Sequence, residues 1–149
     1  MNLPILNPDA PAKLGYPKEL CRNLIESFFV QQFDEYIKNI TAQVDSMDQQ
    51  LMYSVVHKLV GSSSYAGAMR VNILVDKMQK AVPKDAPNPN FKRYKALYAI
   101  LIRECQKAVA HFEYYRKHDK VPSWEVEGEE VKENVGGGSS RQANSGLQP

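Results

Sequence analysis

Apolar side chains recur every three or four residues along most of the chain, a spacing that brings them to one face of an α-helix. Pro17 stands just before the first such stripe, where proline is favoured in the first helical turn. The apolar residues of this stripe are Leu20, Leu24, Phe28, Phe33, Ile37, Ile40 and Val44. Because no segment shows sustained period-two alternation or an Asn-Gly hairpin signal, we predict an all-α protein.

Three more segments carry helical stripes, so the pattern predicts four long helices. The second stripe contains Leu51, Met52, Val55, Val56 and Leu59. The third contains Val71, Leu74, Val75 and Met78. The fourth contains Tyr94, Leu97, Leu101, Cys105, Ala108, Phe112 and Tyr115. Ser46, three residues before Gln49, has the spacing of a capping box at the start of the second helix. We expect an antiparallel four-helix bundle, to which a short extra N-terminal helix could be added.

Proline and glycine mark the expected limits of the domain. No proline occurs between Pro17 and Pro83, and five of the eight glycines follow residue 127. The last part of the chain is also acidic, with five acids and two bases from Val121 onward. We therefore predict an N-terminal segment at 1–15, one helical domain at 16–119 and a flexible, acidic, Gly/Ser-rich tail at 120–149.

Charge and cysteine content narrow the classes of function. Nineteen Lys and Arg against seventeen Asp and Glu leave a net charge of +2, which is small for a dedicated nucleic-acid binder. Cys21 and Cys105 lie far apart without metal-ligand spacing, as expected of a reduced intracellular protein. We read no signal peptide and no apolar run of about 18 residues, and so expect a cytoplasmic protein that does not enter a membrane.

His57 does not belong to the apolar face of the second helix. On a wheel of about 100° per residue, it falls roughly 160° from the centre of that face, beside Tyr53, Val60, Gly61 and Ser64. Glycine in a helix interior costs about 1 kcal/mol relative to alanine, so a function should compensate for Gly61. A missing side chain one turn after His57 would leave the imidazole open to a docking protein.

Residues 57–71, HKLVGSSSYAGAMRV, resemble the signature of histidine-containing phosphotransfer (HPt) domains, which is approximately H-x-L-K-G-S-S-x-x-x-G-A-x-x-L. The matching positions are His57, Leu59, Gly61, Ser62, Ser63, Gly67 and Ala68, with Val71 at the final apolar position. The resemblance covers roughly residues 16–119, since HPt domains are four-helix bundles. The single-domain form is most similar to the stand-alone carriers of eukaryotic multistep phosphorelays.

The resemblance implies a function for His57. It would accept a phosphoryl group from a receiver-domain aspartate of a hybrid sensor histidine kinase and pass it to a response-regulator aspartate. Such a protein is a phosphocarrier without kinase activity, and its receiver partners supply the Mg²⁺, so we expect no cofactor and no metal site. We further expect a monomer that binds receiver domains but neither nucleic acid nor membrane, in the cytoplasm and with the nucleus as a second compartment.

Five residues near His57 are candidates for partner docking or phosphoryl support: Lys58, Val60, Gly61, Ser64 and Arg70. The family usually has lysine where this chain has Val60. Lys58 is a candidate substitute, although its position points about 100° away from His57. Arg70 either reaches a partner or is an ordinary solvated arginine. The departure at Val60 also leaves an alternative open: a non-catalytic helical interaction module with an HPt-like fold and weak or no phosphotransfer.

Overall fold

The computed structural model describes residues 3–123, which are mainly helical and contain no strand. The helices are α1 (Ala10–Lys13), α2 (Lys18–Ser27), α3 (Phe33–Gln43), α4 (Gln49–Ala66), α5 (Met69–Ala81) and α6 (Phe91–His118). A π-helical turn at Phe28–Gln32 joins α2 to α3. The all-α prediction is therefore confirmed for this part of the chain, and a short N-terminal helix, α1, is present.

The first predicted helix contains a change of helical type that its apolar stripe does not indicate. Phe28, Phe29 and Phe33 are all buried around the π-helical turn, with 5.0–5.3 Å between their ring centroids. A π turn changes the angular spacing of side chains along a helix, which a regular 3.6-residue pattern cannot anticipate. Leu20, assigned to the same stripe, is 47% exposed.

The start of α4 differs from the predicted capping box. Asp48 is the N-cap, and its carboxylate accepts a hydrogen bond from the Leu51 amide at 3.1 Å. Ser46 instead accepts a hydrogen bond from the Asp48 amide, while the Gln49 side chain donates to the carbonyls of Pro83 and Ala86. The capping-box prediction is therefore wrong, because Gln49 binds the α5–α6 loop. The first-turn Leu51 is 47% exposed and is not part of the core.

The third and fourth stripes are confirmed as the buried faces of α5 and α6. All eleven residues assigned to these two stripes are buried. In the second stripe, Met52, Val56 and Leu59 are fully buried, whereas Val55 is half-buried against the same core.

The N-terminal segment packs onto the helices. Ile5 and Leu6 are buried in the core, and the Asn7 amide donates to the Gly67 carbonyl at 2.8 Å. The Met69 amide also donates to the Ile5 carbonyl at 3.2 Å. The folded unit therefore begins before residue 16, and the predicted boundary between 1–15 and 16–119 is wrong, because residues 5–7 attach to the α4–α5 turn.

Side-chain contacts give the relative directions of neighbouring helices. Thr41 in the last turn of α3 shares a 2.7 Å hydrogen bond with Tyr98 near the start of α6. Arg22 in α2 pairs with Asp119, just after α6. The segment formed by α2 and α3 therefore runs antiparallel to α6.

None of the helices in the described range is long and apolar enough to cross a membrane. The predicted flexible tail at 120–149 falls almost wholly outside the described residues.

Candidate functional site

His57 lies near the middle of α4 on its solvent side. Its side chain is exposed, whereas Val56 and Leu59 on either side of it in sequence are fully buried. This is the placement that the helical wheel predicts, because the apolar residues of α4 occupy the opposite face. An imidazole in this position is accessible to another macromolecule.

Gln79 of α5 holds one nitrogen of this imidazole. The Nδ1 atom of His57 lies 2.9 Å from Oε1 of Gln79. An amide oxygen can only accept a hydrogen bond, so Nδ1 is the donor in this arrangement and carries the ring proton. The second nitrogen, Nε2, then has the free electron pair and is the nucleophilic atom of the neutral ring.

The Gln79 amide is itself bound to an ion pair on α5. Its Nε2 atom donates to Oδ1 of Asp76 at 2.9 Å, and Oδ2 of Asp76 lies 2.8 Å from Nζ of Lys80. Hydrogen bonds from Lys80 and then from Gln79 hold the pKa of Asp76 below its usual value. Asp76 is therefore a carboxylate at neutral pH, and a continuous set of contacts joins it through Gln79 to His57.

The two neighbours of His57 along α4 differ in size. Tyr53, one turn earlier, places its ring nearly parallel to the imidazole, with 5.2 Å between the centroids and 14° between the planes. One turn later, a Cβ atom built on Gly61 would meet nothing within 4 Å. The imidazole is thus stacked towards the start of α4 and open towards its end.

Of the other three candidates on α4, two are exposed and one is half-buried. Lys58 and Ser64 are exposed on α4. Val60 is half-buried and packs against the core, while its carbonyl accepts a hydrogen bond from Asn72 at 2.7 Å. Position 60 is therefore at the edge of the core and not on an open surface.

Arg70 does not belong to the face that carries His57. Its side chain is 11% exposed, its Nε donates to the Leu3 carbonyl at 2.8 Å, and its Nη1 lies 3.6 Å from Oε1 of Glu104. Arg70 is nine residues before Gln79, which on a helix is about 13 Å and half a turn away. The expectation that it supports docking or the phosphoryl group is corrected, because it attaches the N-terminal segment to α6.

Gln79 and Asp76 are the site residues that the sequence did not reveal. Both lie on the third predicted helix, three residues apart, where they look like ordinary surface polar residues. Only the packing of α5 against α4 shows that Gln79 reaches His57. Their spacing was visible in the sequence, but the relative rotation of the two helices was not.

The described part of the chain shows no metal site. Within residues 3–123, no group of three or more His, Cys, Asp or Glu side chains could hold a metal ion.

No protein-family model, curated protein or solved structure matches this chain. The site is therefore interpreted from its own residues.

Proposed function

We propose that this chain is a histidine phosphotransfer protein of a multistep two-component phosphorelay. His57 accepts a phosphoryl group from a receiver-domain aspartate and passes it to the aspartate of a response regulator. The observation that carries the proposal is the exposed His57 imidazole in mid-helix, with Nδ1 engaged by Gln79 and Nε2 left as the nucleophile.

The proposal includes an HPt-like architecture. The α2–α3 segment, α4, α5 and α6 would form an antiparallel four-helix bundle, with His57 on its side and not between the helices. The opposed directions of α2–α3 and α6 support this arrangement. The chain would be a monomer in the cytoplasm and nucleus. It would bind receiver domains but neither nucleic acid nor membrane.

The proposed reaction uses few groups of this chain. The electron pair on Nε2 of His57 attacks the phosphorus of an aspartyl phosphate, a P–N bond forms, and the P–O bond breaks. The released carboxylate takes the electron pair, while the Nδ1 proton stays with its hydrogen bond to Gln79. Phosphoryl transfer otherwise needs in-line approach and charge neutralisation, which the Mg²⁺ of the receiver domain would supply. The chain would act as a carrier without kinase activity.

The direct test is transfer from a phosphorylated receiver domain in the presence of Mg²⁺. We expect an acid-labile, base-stable phosphate on the parent protein and none on His57→Gln. The matched control is His118→Gln, which removes an exposed histidine from α6 and should leave transfer unchanged. Equal labelling of His57→Gln, or no labelling of the parent by any competent receiver domain, would contradict the proposal.

Val60 favours a second candidate function. A half-buried valine at this position supplies no charge to a phosphoryl group, unlike the lysine usual in the family. The chain would then be a helical interaction module that binds receiver domains with weak or no phosphotransfer. This alternative predicts that receiver binding survives His57→Gln and that the parent protein acquires negligible phosphate.

A further inference from the structure

We propose that Asp76 is a positioning residue that fixes which nitrogen of His57 carries the proton, because it orients the side-chain amide of Gln79. The effect on phosphotransfer rests on the function proposed above. The protonation pattern itself is a property of the unphosphorylated protein and can be tested without a partner.

The side-chain amide of Gln79 has two possible orientations between Asp76 and His57. In the observed one, its NH₂ group donates to Asp76 and its oxygen faces Nδ1 of His57. Rotating the amide by half a turn would place its oxygen against Oδ1 of Asp76, at a separation near that of the present hydrogen bond. A carboxylate can only accept, so two acceptors would then face each other.

Lys80 stabilises the observed orientation of the Gln79 amide. Its ammonium contacts Oδ2 of Asp76, which keeps the carboxylate ionised and leaves Oδ1 for Gln79. A protonated Asp76 could donate to the amide oxygen and would permit the reversed amide. The ion pair with Lys80 therefore maintains the one orientation of Gln79 that presents an acceptor to His57.

An acceptor at Nδ1 selects one tautomer of the neutral ring. The proton stays on Nδ1, and Nε2 keeps the electron pair that attacks phosphorus. When the P–N bond forms, the ring becomes positively charged, and the Gln79 oxygen still accepts from the Nδ1 proton. When the phosphoryl group leaves for a carboxylate, the bonding pair returns to Nε2 and the neutral ring regains the same tautomer.

The decisive substitution is Asp76→Asn. Because the Lys80 ammonium can only donate, the oxygen of the new amide should face Lys80 and its NH₂ group should face Gln79. Gln79 would then turn its oxygen to residue 76 and its own NH₂ group to Nδ1 of His57, which reverses the tautomer. The matched control is Asp45→Asn, which breaks the exposed pair of Asp45 with Lys95 and leaves His57 untouched.

The measurement is a two-bond proton–nitrogen correlation spectrum of the ¹⁵N-labelled full chain, at a pH where the ring is neutral. We expect the proton on Nδ1 in the parent and in Asp45→Asn, and on Nε2 in Asp76→Asn. Adding Gln79→Glu to Asp76→Asn should restore the parent tautomer, because a carboxylate presents an acceptor to Nδ1 in either orientation. A proton on Nε2 in the parent, or one tautomer throughout, would overturn the proposal.

A second measurement uses phosphoramidate as a small-molecule phosphoryl donor. Phosphorylation at Nε2 should be about tenfold slower in Asp76→Asn, as expected when the reactive tautomer is reduced to roughly a tenth of the population. Equal rates with an unchanged tautomer would refute the role of Asp76 and leave the proposed function standing. If the tautomer reverses in Asp76→Asn but no donor phosphorylates the parent protein, the role of Asp76 is supported and the proposed function is refuted.

Discussion

The ring of Tyr53 lies nearly parallel to the imidazole of His57, with 5.2 Å between their centroids. Gln79 holds the Nδ1 atom of the same imidazole at 2.9 Å. One contact restricts the plane of the ring and the other restricts its rotation within that plane. Together they fix the direction of Nε2, although the side chain is exposed to solvent.

Removing the Tyr53 ring should therefore slow phosphotransfer without unfolding the protein. Aromatic pairs contribute about 0.5–1.5 kcal/mol beyond their buried area, so Tyr53→Ala should slow transfer from a receiver domain by about twofold to tenfold. The control is Tyr53→Phe, which keeps the ring and should retain nearly the parent rate. If both variants accept phosphate at the parent rate in a time course of stopped reactions, the stacked ring does not help to position His57.

Gly61 gives a prediction in which stability and function change in opposite directions. Its helix has open space at this residue, so Gly61→Ala and Gly61→Gln should each stabilise the fold by several tenths to about 1 kcal/mol in urea unfolding. Of the two substituted side chains, only glutamine is long enough to block a partner that docks at His57. We expect Gly61→Ala to keep transfer and Gly61→Gln to lose most of it. Equal transfer by the two variants would exclude clearance as the reason for this glycine.

The sequence predicted the placement of His57 better than the contacts around it. The apolar stripes of α5 and α6 are regular, and every residue assigned to them is buried. Exposure of His57 follows from the same periodicity, since it requires only the position of one residue on one helix. Gln79 is different, because its role depends on how α5 is rotated against α4, and a pattern within one helix contains no such information.

The errors in the fold also have physical causes. The π-helical turn at Phe28–Gln32 adds residues to a helix without changing its apolar character. The N-terminal segment attaches through backbone hydrogen bonds at Asn7 and Gly67, which no side-chain pattern reports. From the sequence, Arg70 is either a partner contact or a solvated arginine, because the groups that it binds, Leu3 and Glu104, lie far from it along the chain.

Gly67 should tolerate no side chain. Its φ is 77°, and a Cβ would lie 2.1 Å from the Asn7 carbonyl oxygen. Gly67→Ala should therefore destabilise the fold by about 2–4 kcal/mol, from left-handed strain together with displacement of the N-terminal segment. Gly15 is a matched control, because its φ is 98° but a Cβ there would meet nothing within 4 Å. If Gly15→Ala costs as much as Gly67→Ala in urea unfolding, the close approach of Asn7 is energetically unimportant.

Val60→Lys tests the position at which the chain departs from the HPt signature. Because Val60 packs against the core, the substitution should cost about 1 kcal/mol, more than an open surface site would. The lysine stem can lie along the helix and bring its ammonium towards a phosphoryl group on His57. We expect a longer lifetime of the phosphorylated form at low salt, and a smaller gain at high salt. Val60→Met is the uncharged control, and an equal lifetime in the two variants would refute an electrostatic role for this position.

His111 is the source of a pH-dependent stability that is separate from His57. It is 4% exposed on α6, and burial, followed by the charges of Arg70 and Lys107, lowers its pKa from 6.5 to about 4, against a smaller opposing effect of Glu104. Between these two pKa values the unfolded chain binds a proton that the folded chain does not. Stability is therefore fully present above pH 6.5 and is lost as the pH falls towards 4.

The loss should be visible between pH 7 and pH 5. A depressed histidine pKa of this size removes about 2 kcal/mol of unfolding free energy over that interval. His111→Gln should lower the free energy of unfolding at pH 7, but between pH 7 and pH 5 it should lose less of that free energy than the parent does. His118→Gln, which changes an exposed histidine at the end of the same helix, should lose as much as the parent. Urea unfolding of the three proteins at both pH values checks this. If the parent and His111→Gln lose the same free energy between pH 7 and pH 5, His111 takes up its proton equally in the folded and unfolded chains.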